Sequence, residues 1–382
     1  MSLNHLLNPI TSTPTYIKMT QEFDFTNHSH RRLNLLTNKY VLCSPHRAKR
    51  PWQGAREDIK KTVLPDYDPK CYLCPGNIRA TGDTNPKYES TFVFDNDYPA
   101  VKLDQPEYHE DNGPEDSLKN RLLKTQGVRG KCFVICFSPK HHLTLPLMTN
   151  QEIVGVVNAW QKLYNDLNEE AVSGTAPYKY LQIFENKGAA MGCSNPHPHG
   201  QAWCVDAIPS EVQDELTNME KYYKEHNSHL LEDYVKLELQ EKQRIVADND
   251  SFIVVVPYWA LWPFETLLIA KTHLKSIRDF NDKQKTDLAQ ILKVLTTKYD
   301  NLFNTSFPYS MGLHQAPFKC SHEEEEMSWF HMHFYPPLLR SATVKKFCVG
   351  FEMLGEPQRD LTSEQAAARL QELDGDVHYL NK

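Results

Sequence analysis

The run His197-Pro198-His199-Gly200-Gln201 sets two imidazoles and an amide at alternate positions of a short proline-bound segment. Alternate side chains of an extended segment share a side, so His197, His199 and Gln201 can line one pocket. Pro196 and Pro198 each fix φ at about −65° and stiffen the approach. Gly200 reads as room for a bulky ligand to come close to the main chain. A nucleophilic imidazole needs a fixed position, a neutral ring, and one nitrogen held by an acceptor so that the other is free. A phosphorus centre suits it, because the N–P bond forms readily and stays labile. Gln201 would then donate to a phosphoryl oxygen without being able to supply a proton. His-x-His alone is ordinary loop furniture. HPHGQ after the loop "ENKGAAMGCSN" is not.

Two further groups have the chemistry of metal ligands. Cys71 and Cys74 in "KCYLCPG" make half a zinc site, and His141 or His142 after "CFSPK", together with His197, could complete it. No βαβ pattern surrounds this CxxC, which weakens a thioredoxin-like redox reading. His314, His331 and His333 ("MGLHQAPF", "WFHMHFY") offer two same-side imidazoles on a strand and a third from a loop, a facet that a carboxylate would complete. "HEEEE" at 322–326 reads as a solvated acidic loop. Neither a Walker A sequence nor a Rossmann glycine fingerprint is present, so a nucleotide would need another scaffold.

These residues must be carried by a sizeable scaffold. The chain has 382 residues, 40% of them hydrophobic and 24% charged, enough for two domains or one duplicated plan. A net charge of −7 argues against a protein that coats nucleic acid or anionic membrane. Nine unevenly spaced cysteines, and an N-terminus without a basic region followed by an apolar run, point to a reducing cytoplasm. "FIVVVPYWALWPFETLLIA" contains two prolines and Glu265, and its Val-rich start suggests buried strands, not a membrane span.

"TNQEIVGVVNAWQKLYNDL" is the clearest helix, with Thr149 and Glu152 as a capping box and Ile153, Val156, Val157, Trp160, Leu163, Tyr164 and Leu167 on one face. Residues 210–245 read as a charged helical connector, 283–303 as a second amphipathic helix, and a short helix begins near Thr362. The intervening runs "TFVFDND", "CFVICFS", "YKYLQIF", "QAWCVDAI", "FIVVVPY", "TLLIAK", "WFHMHFY" and "KKFCVGFEML" are strand-like. The expected class is α+β, with a mainly antiparallel sheet flanked by helices. A weak internal repeat runs through both halves: DND, a strand-like run with histidine, a helix, then His-x-His. The expected organisation is a polar lead over 1–27, a first half over 28–209 and a second over 210–382.

The chain resembles the galactose-1-phosphate uridylyltransferase family of the histidine-triad superfamily. The resemblance rests on "RRLNLLTNKYVLCSPHRAKRPWQG", "CYLCPGNIRATGDTNP", "VICFSPKHHLTLPL", "FENKGAAMGCSNPHPHGQAW", "VVPYWALWPFETLL" and "HMHFYPPLLRSATVKKFCVGFEMLGEPQRDLT". It implies a HIT-like fold of two related halves and a place in galactose metabolism. It also implies ping-pong transfer of UMP from UDP-glucose to galactose-1-phosphate, giving glucose-1-phosphate and UDP-galactose through uridylylated His199. Histidine-triad hydrolases carry a third His where this chain has Gln201, so the intermediate should persist until a sugar phosphate arrives. By the same resemblance Cys71, Cys74, His141 and His197 match zinc ligands. Glu215, His314, His331 and His333 match a second site for iron or zinc. Asn96 and Asp97 match the uridine side, and Asn186, Gly192 and Ser194 the phosphates. Lys346, Phe347, Val349, Glu352 and Gln358 match the hexose side, and Arg31 and Arg47 phosphate contacts. A homodimer with shared active sites is implied, and no nucleic-acid or membrane partner. The runner-up, a phosphorylase with the same HPHxQ motif, is disfavoured by the "KKFCVGFEMLGEPQRD" run, and a non-catalytic nucleotide-binding or zinc-scaffold protein by the intact HPHGQ.

Overall fold

The computed structural model describes residues 22–49, 64–109 and 117–382, so most of the polar lead lies outside the described residues. Near its start, β1 (His30–Asn34) and β2 (Lys39–Cys43) pair antiparallel. The first half then supplies β3 (Phe92–Asp95), the short helix α1 (Leu118–Leu122), β4 (Gly130–Cys136), α2 (Asn150–Ser173), β5 (Tyr180–Lys187) and β6 (His199–Val205). Two helices follow, α3 (Ser210–His226) and α4 (Leu230–Glu241). The second half adds β7 (Ile245–Asp248), β8 (Phe252–Val255), β9 (Thr266–Ala270), α5 (Asp282–Phe303), β10 (Tyr309–His314), α6 (His322–Met327) and β11 (His331–Tyr335). The C-terminal part carries the hairpin β12 (Leu338–Ser341) and β13 (Val344–Lys345), then α7 (Phe351–Leu354), β14 (Gln358–Arg359) and α8 (Ser363–Gln371).

Nine strands form one antiparallel sheet in the order β3-β4-β6-β5-β10-β11-β9-β8-β7. Its centre is the pairing of β5 with β10, where Phe184 faces Gly312 and Asn186 faces Ser310. Each half crosses one long helix between equivalent strands, α2 from β4 to β5 and α5 from β9 to β10, and these helices pack on each other. The class is therefore α+β with a mainly antiparallel sheet. The DND triplets are not equivalent: the strand order matches β3 with β8, and the first triplet begins on the last residue of β3 whereas the second begins on the last residue of β7 and leads into β8.

Both long helices cover the same face of the sheet. The α2 side chains named from the sequence are all buried, and Trp160 meets Phe137 edge-on. From α5, Tyr299 packs on Tyr309 and Phe334. The capping box of α2 is formed, Thr149 Oγ1 accepting from the Glu152 N–H at 3.2 Å and Glu152 Oε2 from the Thr149 N–H at 2.7 Å.

Strand alternation puts a different set of residues on the opposite face: Phe94, Val134, His199, Gln201, Trp203, Phe184, Asn186, His314, His331 and His333. This face is where chemistry can occur. Residues 71–94 cover its first half with the small cluster Cys71, Leu73, Cys74, Val134 and Cys136. Residues 210–245 are thus more than a connector, since α3 lies against the second half and delivers Glu215 to it.

Two local expectations change. "HEEEE" is no loop: α6 is nucleated by a Ser321–Glu324 capping box, and Glu325 pairs with Arg278 at 2.5 Å. In "KKFCVGFEML" only Lys345 is in a strand. Residues 346–350 are irregular and Phe351–Leu354 form α7, because Phe347, Val349, Phe351, Met353 and Leu354 are all exposed and have no neighbouring strand to bury them. The small sheet is closed by β14, which runs parallel to β2 and ties the C-terminal segment to the N-terminal hairpin.

Candidate active site

His199 opens β6 and faces a cleft of about 290 Å³ lined by Tyr72, Leu73, Phe94, Asn96, Asp97, Tyr98, Ser194 and Gln201, among others. Its Nδ1 lies 2.7 Å from the His197 carbonyl, so that nitrogen carries the proton and Nε2 keeps its lone pair for the cleft. Burial lowers the His199 pKa, and the bond to the His197 carbonyl opposes that only in part, so the ring is neutral at neutral pH. Asn96 and Asp97 come from the end of β3 and Ser194 from the loop after β5. Arg79, unmarked in the sequence, sits 3.4 Å from the Asp97 carboxylate and stacks over Phe94.

Gly200 points the other way. A Cβ there would come within 2.9 Å of both the Phe137 ring and the Phe184 carbonyl oxygen. Its missing side chain makes room for the core under α2, not for a ligand. His197 also leaves the cleft: it precedes β6, is fully buried, and turns its Nδ1 to within 3.6 Å of Cys74 Sγ.

There it meets Cys71, Cys74 and His141, whose potential ligand atoms all lie within 4.8 Å of one another. His141, not His142, joins this group; His142 pairs instead with Asp66 at 3.1 Å. The His197 Nε2–H donates to the Ser138 carbonyl at 2.9 Å, which leaves Nδ1 unprotonated and turned inward. Burial pushes the Cys74 thiol up to about 11, so a thiolate here needs a cation beside it. Two thiols and two inward imidazole nitrogens fit a tetrahedral zinc donor set. Asn195 and Tyr88 support them and carried no signal in the sequence. Buried Asn195 donates to Cys71 Sγ at 3.4 Å and accepts from the His197 N–H at 3.0 Å, while the Tyr88 hydroxyl lies 3.1 Å from His197 Nε2 and donates to the Leu73 carbonyl at 2.6 Å.

The second group gathers Glu215 from α3, His314 from β10, and His331 and His333 from β11. Glu215 Oε2 is 2.6 Å from His314 Nδ1 and 3.2 Å from His331 Nε2, and Oε1 is 3.2 Å from His333 Nε2. Burial alone would raise the Glu215 pKa, but the His314, His333 and His331 imidazoles hold it well below the usual range. Burial pushes the His333 ring down to about 4, and its buried Nε2 makes no hydrogen bond. A neutral, unsatisfied imidazole nitrogen against a carboxylate fits a divalent metal of the iron or zinc kind.

The remaining candidates fall in two places. Asn186 lies on the cleft face of β5 and accepts from Ser310 Oγ at 2.6 Å, and Gly192, at φ +78°, turns the loop that presents Ser194. Asn186 and Gly192 do not themselves line the cleft, and neither do Lys346, Phe347, Val349, Glu352, Gln358, Arg31 and Arg47. Lys346 Nζ binds the Glu352 carboxylate at 2.5 Å and the Gln358 carbonyl at 2.6 Å; Arg31 forks onto Glu356, and Arg47 lies 3.8 Å from Asp360. Phe347 and Val349 are 64% and 59% exposed.

Comparison with known proteins covers nearly the whole chain. The family model for the galactose-1-phosphate uridyl transferase N-terminal domain matches residues 20–209, and that for the C-terminal domain matches 215–382. The chain is 72% identical to galactose-1-phosphate uridylyltransferase of Schizosaccharomyces pombe, covering 95% of this chain and 99% of that one. It is 65% identical to that of Saccharomyces cerevisiae, over 95% and 99% of the two chains, and 55% identical to that of Haemophilus influenzae, over 94% and 99%. Among solved structures, a uridylyltransferase superposes with a TM-score of 0.68 at 24% identity, over 90% of this chain and 97% of that one. An ADP-glucose phosphorylase from Arabidopsis thaliana gives 0.70 at 23%, over 91% and 100%. These two speak for the fold alone.

Proposed function

The chain belongs to the galactose-1-phosphate uridylyltransferase family, and from that premise we propose that His199 is its nucleophile and that UMP is carried on it between two half-reactions. The activity itself is exchange of UMP between UDP-glucose and galactose-1-phosphate, a step of galactose metabolism. The observation that carries the mechanism is the free Nε2 of His199, held toward the cleft by the 2.7 Å bond from its Nδ1–H to the His197 carbonyl.

In the first half-reaction Nε2 attacks the α-phosphorus of UDP-glucose. The N–P bond forms as the bond from phosphorus to the bridging oxygen breaks, and glucose-1-phosphate leaves with that electron pair. A phosphate oxygen of galactose-1-phosphate then attacks the same phosphorus, and the N–P pair returns to Nε2. Gln201, Ser194, Asn186 and the loop turned at Gly192 supply donors to the phosphoryl oxygens, and Asn96 and Asp97 take the uridine side. Gln201 offers water neither acid nor base, so the intermediate waits for a sugar phosphate. Zinc held by Cys71, Cys74, His141 and His197 would supply a rigid cross-link at the entry to β6. Iron or zinc held by Glu215, His314, His331 and His333 would brace the second half.

On the hexose side Lys346, Glu352 and Gln358 hold one another, Phe347 and Val349 are exposed, and none of these, nor Arg31 or Arg47, lines the cleft of its own chain. That supports a homodimer in which each copy lends these residues to the other's His199. The matching strand order and the family models, which run over 20–209 and 215–382, support a division near 210 into the halves read as 28–209 and 210–382. The start of the first half at 28, after a lead at 1–27, has no such support, because the first model begins at 20. Nine cysteines, all as free thiols, support a cytoplasmic setting. An acceptor panel tests the reaction. Galactose-1-phosphate should take UMP far better than inorganic phosphate; the reverse preference would make this chain a phosphorylase.

A further inference from the structure

An amide can present either its oxygen or its NH2 to a substrate, and here two neighbours decide which. Gln201 and Trp203 lie two residues apart on β6 and share the cleft face. The indole nitrogen of Trp203 is 3.2 Å from the near end of the Gln201 amide. An indole N–H donates and never accepts, so that near atom is Oε1. Asn96 reaches the same oxygen at 3.5 Å through its Nδ2. Its orientation is itself fixed, because its Oδ1 accepts the Tyr98 backbone N–H at 2.9 Å. The Trp203 ring is held edge-on by Phe184, with centroids 5.6 Å apart, and Phe184 is the register partner of Gln201 on β5. With Oε1 occupied from both sides, the Gln201 NH2 is left for the cleft it shares with His199 and Ser194.

We propose that Trp203 is a positioning residue for UMP transfer: its N–H locks the Gln201 amide so that the NH2, and not the carbonyl oxygen, meets the phosphoryl oxygens. This rests on the reading of His199 and Gln201 given above. A reversed amide would set an oxygen lone pair against phosphoryl oxygens and withdraw the donor when charge develops on them.

Trp203→Phe keeps the ring against Phe184 and deletes only the donor. Single-turnover labelling of His199 by UDP-glucose labelled in the α-phosphate, together with steady-state kinetics, reads the effect. Transfer should slow about fivefold, the worth of one net hydrogen bond. The KM for UDP-glucose should change less than twofold, and in a Gln201→Ala background Trp203→Phe should add nothing. An unchanged rate in Trp203→Phe, or an equal slowing in the Gln201→Ala background, overturns the role given to Trp203 while leaving His199 in place. Absence of label on the wild-type protein overturns both.

Discussion

His199 and His197 are two residues apart, yet their surroundings give them opposite tasks. His199 spends Nδ1–H on a backbone carbonyl and keeps Nε2 open to the cleft; His197 spends Nε2–H on the Ser138 carbonyl and turns Nδ1 to the cysteines. Residue types and spacing pointed to a nucleophilic imidazole and to a half-complete zinc site, because HPHGQ and a CxxC are informative without a fold; which histidine takes which task came from the family resemblance. Spacing left His141 and His142 open, since adjacent residues differ only in which way the backbone presents them, and it was the family resemblance that named His141, the one brought to the cysteines. Gly200 was misread for the same reason: its role depends on Phe137 and Phe184, which only folding brings near. Two outcomes follow at this scale. Gln201→His should shift the balance from transfer to water, so that UDP-glucose is hydrolysed without acceptor several-fold faster than by wild type, measured as glucose-1-phosphate release. Asn195→Ala, by removing the N–H to Cys71 Sγ, should weaken zinc about ten- to a hundredfold in a chelator competition.

Among elements, those with strong local signals were legible. The period of α2 and its capping box follow from the sequence, and Thr149→Ala should cost about 1 kcal/mol in denaturant unfolding while leaving kcat unchanged. The strand β10 had no such signal, since Tyr309–His314 lacks β-branched residues and holds Gly312. It is a strand because β5 and β11 flank it, and a Cβ at Gly312 would only push aside the end of the Gln182 side chain, 2.9 Å away. Gly200 on β6 differs: Gly200→Ala should destabilise the protein by about 1–3 kcal/mol, because one of the atoms it would strike is backbone.

At the scale of the molecule, a duplicated plan has been used unequally. Both halves carry a His-x-His, but in the first only His199 lies on the strand, with His197 turned to the cysteines, whereas in the second α3 brings Glu215 and commits both His331 and His333 to that carboxylate. Only the first half leaves an imidazole open. Glu364 of α8 ties β1 to the second half: it forks onto Arg32 at 3.0 Å and reaches Arg244, just ahead of β7, at 3.1 Å. Burial alone would raise its pKa, but Arg32 and Arg244 hold it at about 2. A depressed carboxylate stabilises the fold fully above its unfolded value of 4.5 and loses that contribution as pH falls toward 2. Glu364→Gln should therefore flatten the loss of stability between those two pH values, measured by urea unfolding. Sharing of sites across a dimer predicts a complementation: inactive His199→Ala and Lys346→Met, unfolded and refolded together, should recover about a quarter of wild-type activity, and none if each chain holds a whole site.

The covalent intermediate is the point on which the rest depends. The protein should be incubated with UDP-glucose labelled in the α-phosphate, without acceptor, and the denatured protein counted before and after mild acid. The account predicts close to one acid-labile label per chain, discharged by galactose-1-phosphate as UDP-galactose and absent in His199→Ala. No label on the wild type, or a label that survives in His199→Ala, would contradict it.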